Sequence, residues 1–306
     1  MTVQQTSQNT FKAGYVAIVG EPNVGKSTLM NALLGQKISI VTSKPQTTRY
    51  KILGILSTEN SQIIFLDTPG LLRPKYALHE AMMASAESSL GDADLVLFMI
   101  DATDAKVLQN SESSVAFEYL ARVRKPTYLI INKVDAVKKP ALLPLMDAMA
   151  KLDRFQEIFP ISALNGDGLP DLTRTIVEAL PSHPPYFPIE SVSDQPEKFF
   201  VSEIIREKIF EQFKDEIPYA TAVDIREFAE KEGRKDFISA DVYVERDSQK
   251  SILIGKGGTA LKRVGQEARK EIEEFLQRPV FLELHVKVRA KWRKSSMWLK
   301  TFGYGK

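Results

Sequence analysis

The sequence predicts an α/β protein, a doubly wound and mostly parallel sheet followed by a smaller α+β domain. Three observations carry that prediction. Apolar runs of strand length, at 15–19, 62–66, 95–100, 127–131 and 158–161, alternate with stretches of helical periodicity, the pattern of a parallel sheet with crossover helices. A glycine-rich stretch, Gly20-Glu21-Pro22-Asn23-Val24-Gly25-Lys26-Ser27, joins the first run to a helical pattern at Leu29, Leu33 and Leu34. Pro181, Pro184, Pro185 and Pro188 then fall within eight residues, a density that stops a helix and stiffens the chain. The expected division is a first domain over 1–182, a proline-rich linker over 183–197 and a second domain over 198–306.

The glycine-rich stretch has a strand before it and a helix after it, the order that builds a phosphate-binding loop. Successive backbone N–H groups wrap phosphate, and the unpaired N–H groups opening the helix add their dipole. Gly20 and Gly25 permit the turn, Lys26 reaches the β- and γ-phosphates, and the Ser27 hydroxyl, followed by Thr28, ligates Mg²⁺. Residues 37–50 are polar and contain Pro45-Gln46-Thr47-Thr48-Arg49. A short strand at 51–56 turns through 58–61 into the run at 62–66, which ends in Asp67-Thr68-Pro69-Gly70. An acid at the carboxyl end of a strand next to the phosphate loop can hold a magnesium-bound water. Taken alone, the same four residues read equally well as a turn.

The phosphate loop does not choose among kinases, ATPases and GTPases. The choice comes from Asn132-Lys133-Val134-Asp135, at the end of the run 127–131. The Asp135 carboxylate only accepts hydrogen bonds, and guanine offers two adjacent donors, N1–H and the 2-amino group. Adenine would leave that carboxylate desolvated and unpaired, and a site built on such bonds rejects analogues by roughly 10⁴-fold or more. Asn132 can donate to the N7 side, the Lys133 stem can cover the ring face, and the Ala163 N–H of Ser162-Ala163 can meet O6. A P-loop kinase would leave Asn132–Asp135 unexplained.

Together Gly20–Ser27, Thr48, Asp67–Gly70, Asn132–Asp135 and Ser162-Ala163 resemble the five guanine-nucleotide motifs of the small GTPase superfamily. The Asn of the phosphate loop and the Thr-Thr-Arg of the second motif resemble the Era-like family. The resemblance implies Thr48 as the switch threonine that ligates Mg²⁺ with Ser27 and Asp67, with Thr47 as the adjacent alternative, and implies GTP and GDP as the ligands. Leu71 departs from the Ras pattern, where a glutamine orients the attacking water. The resemblance implies instead a branch with a hydrophobic residue there, often using K⁺ bound through Asn23, and slow intrinsic hydrolysis. The catalytic set expected on this basis is Asn23, Lys26, Thr48, Asp67 and Gly70.

In the second domain a helical pattern at 199–213, strand patterns at 219–228 and 237–245, and Ser251-Ile252-Leu253-Ile254 precede Gly255-Lys256-Gly257-Gly258. A helix through Leu276 and a strand at 280–288 follow. The two outer glycines of a Gly-x-x-Gly turn let a nucleic-acid backbone approach, while N–H groups and a lysine meet phosphate. Lys262 and Arg263 open the next helix. The order of elements resembles a type II KH domain, and with the GTPase motifs it implies an RNA-binding member of the Era-like family. That resemblance implies 16S rRNA and the small (30S) ribosomal subunit as partners, a role in subunit maturation, and a cytoplasmic monomer. A non-enzymatic RNA scaffold that holds GTP structurally is the alternative that Leu71 keeps open.

Composition supports a folded chain. Of the 306 residues, 43% are hydrophobic and 26% charged, enough to build a core. No Cys is present, which excludes disulfides and thiolate metal sites and fits a reducing compartment. His79, His183 and His285 are scattered, so no zinc site is expected. The longest apolar run is strand-sized, and 1–10 are polar without the pattern of a secretion signal. Net charge is +2, yet residues 284–306 hold seven Lys/Arg and no Asp/Glu, which points to an anionic partner. Arg289, Lys291, Arg293, Lys294 and Lys300 interleave there with Trp292, Trp298, Phe302 and Tyr304. Cations for phosphate and rings for stacking suit single-stranded RNA. The competing expectation is a terminal helix that buries its rings and solvates its cations. The same charges permit peripheral contact with anionic lipid on the inner face of the plasma membrane.

Overall fold

Strand Lys12–Gly20 (β1) is the axis of the first sheet in the computed structural model, which describes residues 11–104, 114–230 and 233–304. It pairs in parallel with Ser61–Asp67 (β3) on one side and Leu95–Asp101 (β4) on the other. Thr127–Asn132 (β5) and Glu157–Pro160 (β6) extend the parallel array, and Ile52–Ser57 (β2) closes the opposite edge antiparallel to β3. The strand order is β2-β3-β1-β4-β5-β6, the mostly parallel sheet of the P-loop GTPases. Val16, Ile18, Phe65, Leu66, Leu97 and Phe98 are fully buried, because helices cover both faces of such a sheet. Each fully buried aliphatic side chain contributes roughly 1.5–3 kcal/mol of apolar burial.

Every parallel strand points the same way, so their carboxyl ends form one edge where ligand loops gather. Between β4 and β5 the described residues hold helix Val115–Leu120, and residues 105–113, like 1–10, lie outside the described residues. Helix Lys139–Ala150 had no counterpart in the sequence reading. Pro144 within it breaks the helical signal, but Leu145 and Met149 one turn apart supply its buried face.

A second sheet, ordered β7-β8-β9, is built from Ala222–Ala229, Asp236–Val244 and Val280–Val288. Strand β8 pairs antiparallel with β7 and parallel with β9. Helices Glu197–Gln212 and Thr259–Leu276 belong to its core: Val201, Ile205 and Ile209 from the first, Val264, Ala268 and Ile272 from the second, against Ile238, Ala240 and Val242 of β8. Helix Asp247–Ile254 and the turn Lys256–Gly258 precede the second of these helices. This is the smaller KH-type α+β arrangement. The strand expected from 219 begins at Ala222, since Ile217–Ala220 forms a helical turn.

By contacts the chain divides into two compact units, 1–39, 51–72 and 85–194 in the first and 40–50, 73–84 and 195–306 in the second. Two features of this division were not legible in the sequence. The proline-rich segment is bonded to the first unit: the Gln62 side-chain oxygen accepts from the N–H groups of Tyr186 and Phe187 at 2.8 and 3.0 Å, and Ile55 N–H donates to the Val192 carbonyl at 2.9 Å. The stretch 40–50, which carries Thr47, Thr48 and Arg49, belongs to the second unit. No helix among the described residues is long and apolar enough to cross a membrane.

Candidate nucleotide and RNA sites

The phosphate loop runs from the end of β1 into helix Lys26–Leu34, with Gly25 in a left-handed conformation at its start. At φ 100° Gly25 cannot be exchanged cheaply, because an added Cβ would stand 2.3 Å from Asn132 Nδ2. Lys26 is buried, and its Nζ donates to the carbonyls of Gly20 at 3.2 Å and Glu21 at 2.8 Å. Burial pushes its pKa down to about 8, against the pull of Asp67 and Glu21. An anion brought to this ammonium relieves that penalty, which suits a phosphate ligand. The Glu21 side chain accepts from the Ser114 hydroxyl. Asn23 is exposed with φ 66°, and Pro22 lies against Gly70, where a Cβ would stand 2.8 Å from Pro22 Cα.

Asp67 ends β3 fully buried. Its Oδ2 accepts from Ser27 Oγ and from Ser39 Oγ, each at 2.7 Å, while Oδ1 is buried without a hydrogen-bond partner. Burial raises its pKa, and the bonds from Ser39 and Ser27 only partly oppose that. A buried carboxylate oxygen left unpaired beside a serine hydroxyl fits a hard cation such as Mg²⁺, which takes oxygen ligands. Thr68 Oγ1 donates to the Ile18 carbonyl at 2.8 Å, and Leu71 N–H to the Gly20 carbonyl at 3.0 Å. The Leu71 side chain is only 2% exposed. It is a core residue, so it neither hydrogen-bonds water nor faces it.

Asn132 ends β5, and both ends of its amide are engaged within the protein. Nδ2 donates to the Val24 carbonyl at 2.8 Å, and Oδ1 accepts from Ala163 N–H at 3.0 Å. Asn132 thus braces the phosphate loop, the strand end and the Ser162-Ala163 loop. It keeps one Nδ2 hydrogen for the expected donation to the N7 side of the base, while the Ala163 N–H is engaged by Asn132 Oδ1. Ser162 is buried, its N–H on the Asp167 carbonyl at 3.1 Å. Lys133 adopts φ 66° and opens the short turn Val134–Ala136 that presents an exposed Asp135. Lys133 Nζ reaches Asp101 Oδ2 at 2.5 Å. Asp101 was missed in the sequence, although it ends an apolar strand as Asp67 and Asn132 do.

In the second unit Thr47 and Thr48 are both buried. The Thr47 hydroxyl donates to the Lys44 carbonyl at 2.8 Å and lies 2.7 Å from the Thr42 hydroxyl. Arg49 is buried as well. Its Nη1 donates to the Thr221 carbonyl at 2.7 Å and its Nη2 to the carbonyls of Pro218 and Tyr219 at 3.0 and 3.1 Å, where the helical turn Ile217–Ala220 ends.

The turn Gly255-Lys256-Gly257-Gly258 stands at the solvent. Lys256 and Gly257 are exposed, and Gly257 and Gly258 take φ 60° and 79° with open space where a Cβ would go. Lys262 and Arg263 are exposed on the following helix, Arg263 Nε on the Gln212 side chain at 3.0 Å. The aromatic residues after β9 divide differently from the stacking expectation. Trp292 is fully buried and donates Nε1–H to the Ala220 carbonyl at 2.8 Å, and Phe302 and Tyr304 are buried too. Arg289 lies over the Trp298 ring at 5.1 Å. Arg293 pairs with Glu245 and lies over Tyr76, whereas Lys291, Lys294 and Lys300 remain exposed. Trp292, Phe302 and Tyr304 are core and Trp298 is half-buried, while the cations divide between ion pairing and solvent.

Comparison with known proteins agrees with this geometry. The family described as 50S ribosome-binding GTPase matches residues 15–133, and the KH domain matches 216–293. GTPase Era of Geotalea uraniireducens is 47% identical over 298 residues, covering 97% of this chain and 99% of the relative. The chain belongs to the Era family of GTPases. GTPase Era of Lactobacillus helveticus is 45% identical over 299 residues, 98% of each chain. Among solved structures, Era in complex with MgGDPNP and nucleotides 1506–1542 of 16S ribosomal RNA is 42% identical with a TM-score of 0.91, covering 97% of this chain and 100% of its own. An Aquifex aeolicus Era variant bound to GDP and AlF4⁻ is also 42% identical with a TM-score of 0.90 over the same shares. As a member of this family the chain is a guanine-nucleotide hydrolase, and its cofactors are GTP or GDP with Mg²⁺.

Proposed function

We propose that this chain is a nucleotide-switched GTPase that binds 16S rRNA and assists maturation of the small ribosomal subunit. The observation that carries the nucleotide half is the buried Asp67, bonded to the Ser27 hydroxyl and holding an unpartnered carboxylate oxygen, beside the buried Lys26. Ser27 and Asp67 would hold Mg²⁺, and the family motif gives Thr48 as the switch threonine, with Thr47 the adjacent alternative. Bound there, Mg²⁺ would supply positive charge against the negative charge that develops on the phosphates during phosphoryl transfer. The backbone of Gly20–Thr28 wraps the phosphates, Lys26 meets the β- and γ-oxygens, and Gly70 gives the loop after Asp67 its close approach to Pro22. Asp135 reads the N1–H and 2-amino group of guanine while the Lys133 stem covers the ring.

The RNA half rests on the exposed Gly255–Gly258 turn, with Lys262, Arg263, Arg289 and Lys291 as phosphate contacts and Arg293 secondary because Glu245 engages it. The rRNA identity rests on the likeness to the rRNA-bound Era, and a cytoplasmic site of action follows from that partner. In this reading residues 1–182 are the GTPase module, 183–197 the linker and 198–306 the RNA module of a monomer.

Competition among GTP, ATP and XTP tests the base reading. Wild type should prefer GTP over ATP by roughly 10⁴-fold or more. Asp135→Asn should shift preference to XTP, whose 2-oxo group accepts from the new amide. Binding of ATP within about tenfold of GTP, far below that expected discrimination, would refute the role given to Asp135.

A further inference from the structure

We propose that Asp101 is a positioning residue of the nucleotide site, holding Lys133 in place over the base and so setting guanine-nucleotide affinity. The proposal rests on the reading of Lys133 as the cover of the purine face. Strands β4 and β5 are parallel and in register, Asp101 opposite Asn132, so both residues leave the sheet at its ligand-bearing edge. The two exits are tied, since Ala102 N–H donates to the Asn132 carbonyl at 2.9 Å.

The two oxygens of Asp101 have separate tasks. Oδ1 accepts from the Thr103 N–H at 2.9 Å and from the Thr103 hydroxyl at 2.7 Å, which fixes the carboxylate on its own turn. Oδ2 is thereby aimed at the neighbouring strand exit, where Lys133 Nζ meets it at 2.5 Å. The pair is partly shielded, with side-chain exposures of 18% for Asp101 and 37% for Lys133.

Lysine carries a flexible four-carbon stem and loses rotamer freedom when it lies flat on a ring. A carboxylate fixed at the far end of that stem takes the loss before nucleotide arrives, and pre-ordering of this kind raises affinity without a new contact to the ligand. Lys133 also sits in the left-handed region at φ 66° and starts the turn that presents Asp135. Fixing its side chain therefore steadies the residue from which the guanine-reading carboxylate is hung. Burial alone would raise the Asp101 pKa, yet the hydrogen bonds from Lys133 and Thr103 outweigh it and hold the carboxyl below its usual range. Asp101 is thus an anion whenever the site works.

The test is a double-mutant cycle on the full chain, read as the Kd of a fluorescent GDP analogue and as kcat and KM for GTP. Asp101→Ala should raise Kd about tenfold, the size of one charge-assisted hydrogen bond, with KM rising and kcat within about twofold of wild type. Lys133→Ala should weaken binding at least as much, and adding Asp101→Ala to it should cost nothing further. Asp101→Asn, which keeps the Thr103 bonds but loses the charge, should fall between wild type and Asp101→Ala, with a melting temperature near wild type.

A full additional loss in the Lys133→Ala background would make Asp101 independent of Lys133 and overturn the proposal. So would tighter binding by Asp101→Ala, since the ion pair would then compete with nucleotide. If Lys133→Ala weakens binding and neither Asp101 variant does, this proposal alone falls. If Lys133→Ala leaves Kd unchanged, the base-cover reading beneath it falls as well.

Discussion

Leu71 shows how far a single residue constrains the chemistry. A glutamine at this place could orient water, but a leucine 2% exposed is committed to the core, and its backbone N–H is held by Gly20. The family resemblance implies that a branch with a hydrophobic residue here often uses K⁺ bound through the phosphate-loop Asn, in this chain Asn23, which is exposed with φ 66°. Hydrolysis should be faster in KCl than in NaCl, with an upper scale of about 10²-fold for one electrostatic contact at the reacting phosphate. Asn23→Ala should abolish the difference while leaving guanine preference intact. Equal rates in both salts would remove K⁺ from the mechanism and leave the GTPase assignment standing. Asn132 teaches the converse lesson. Its residue type invites a base contact, and its position also makes it a brace between loops, with Val24 on one end and Ala163 on the other.

At the scale of one element, helix Glu197–Gln212 carries an unusual load of buried charge. Glu203 and Arg206, one turn apart, form an ion pair with side-chain exposures of 4% and 1%. Glu207, also buried, accepts from Val41 N–H at 3.0 Å. Burial opposes the charge on Arg206, but Glu203 more than compensates and its pKa is raised. Removing one partner leaves the other charged in a low-dielectric setting, which costs about 3–5 kcal/mol, whereas replacing both by apolar side chains of similar volume is often near neutral. Arg206→Ala should therefore lower the urea midpoint of the second unit markedly, and Glu203→Leu with Arg206→Met should recover most of it. Fluorescence of Trp292 and Trp298, the two tryptophans of the chain and both in that unit, provides the readout. An Arg206→Ala loss below about 1 kcal/mol, the scale of an exposed pair, would contradict the buried-pair argument.

For the molecule as a whole, nucleotide chemistry and RNA binding are carried by different stretches, and the Gly255–Gly258 turn allows them to be separated. Gly257 has φ 60° and open space around a would-be Cβ, and aspartate tolerates the left-handed region better than most residues. Lys256→Asp with Gly257→Asp should thus fold normally while setting two carboxylates against RNA phosphates. Affinity for an rRNA fragment should fall by at least tenfold and its salt dependence should flatten, because fewer counterions are released. GTP hydrolysis without RNA should stay within about twofold, as neither residue belongs to the phosphate or base loops of the nucleotide site. A folded double variant that binds RNA like wild type would transfer the site to the exposed lysines 291, 294 and 300.

The sequence by itself determined the alternation of strands and helices, the phosphate loop, Asp67, Asn132–Asp135 and the Gly-x-x-Gly turn. Each of these is local: a period of apolar residues, or a few neighbours whose donors and acceptors define a ligand. The tertiary structure alone decided which side chains are used up by partners far along the chain. Trp292 became core because Ala220, some seventy residues earlier in sequence, offers a carbonyl 2.8 Å from its indole N–H. Arg49 is engaged by carbonyls near residue 220, and Lys133 by Asp101 across a strand pair. Helix Lys139–Ala150 escaped notice because Pro144 hides a buried face that only Leu145 and Met149 reveal. Long-range pairing consumes the hydrogen-bonding capacity that a local motif seems to offer, and burial removes rings that composition would assign to a ligand. Those two effects depend on which residues the fold brings together, and no spacing along the chain records them.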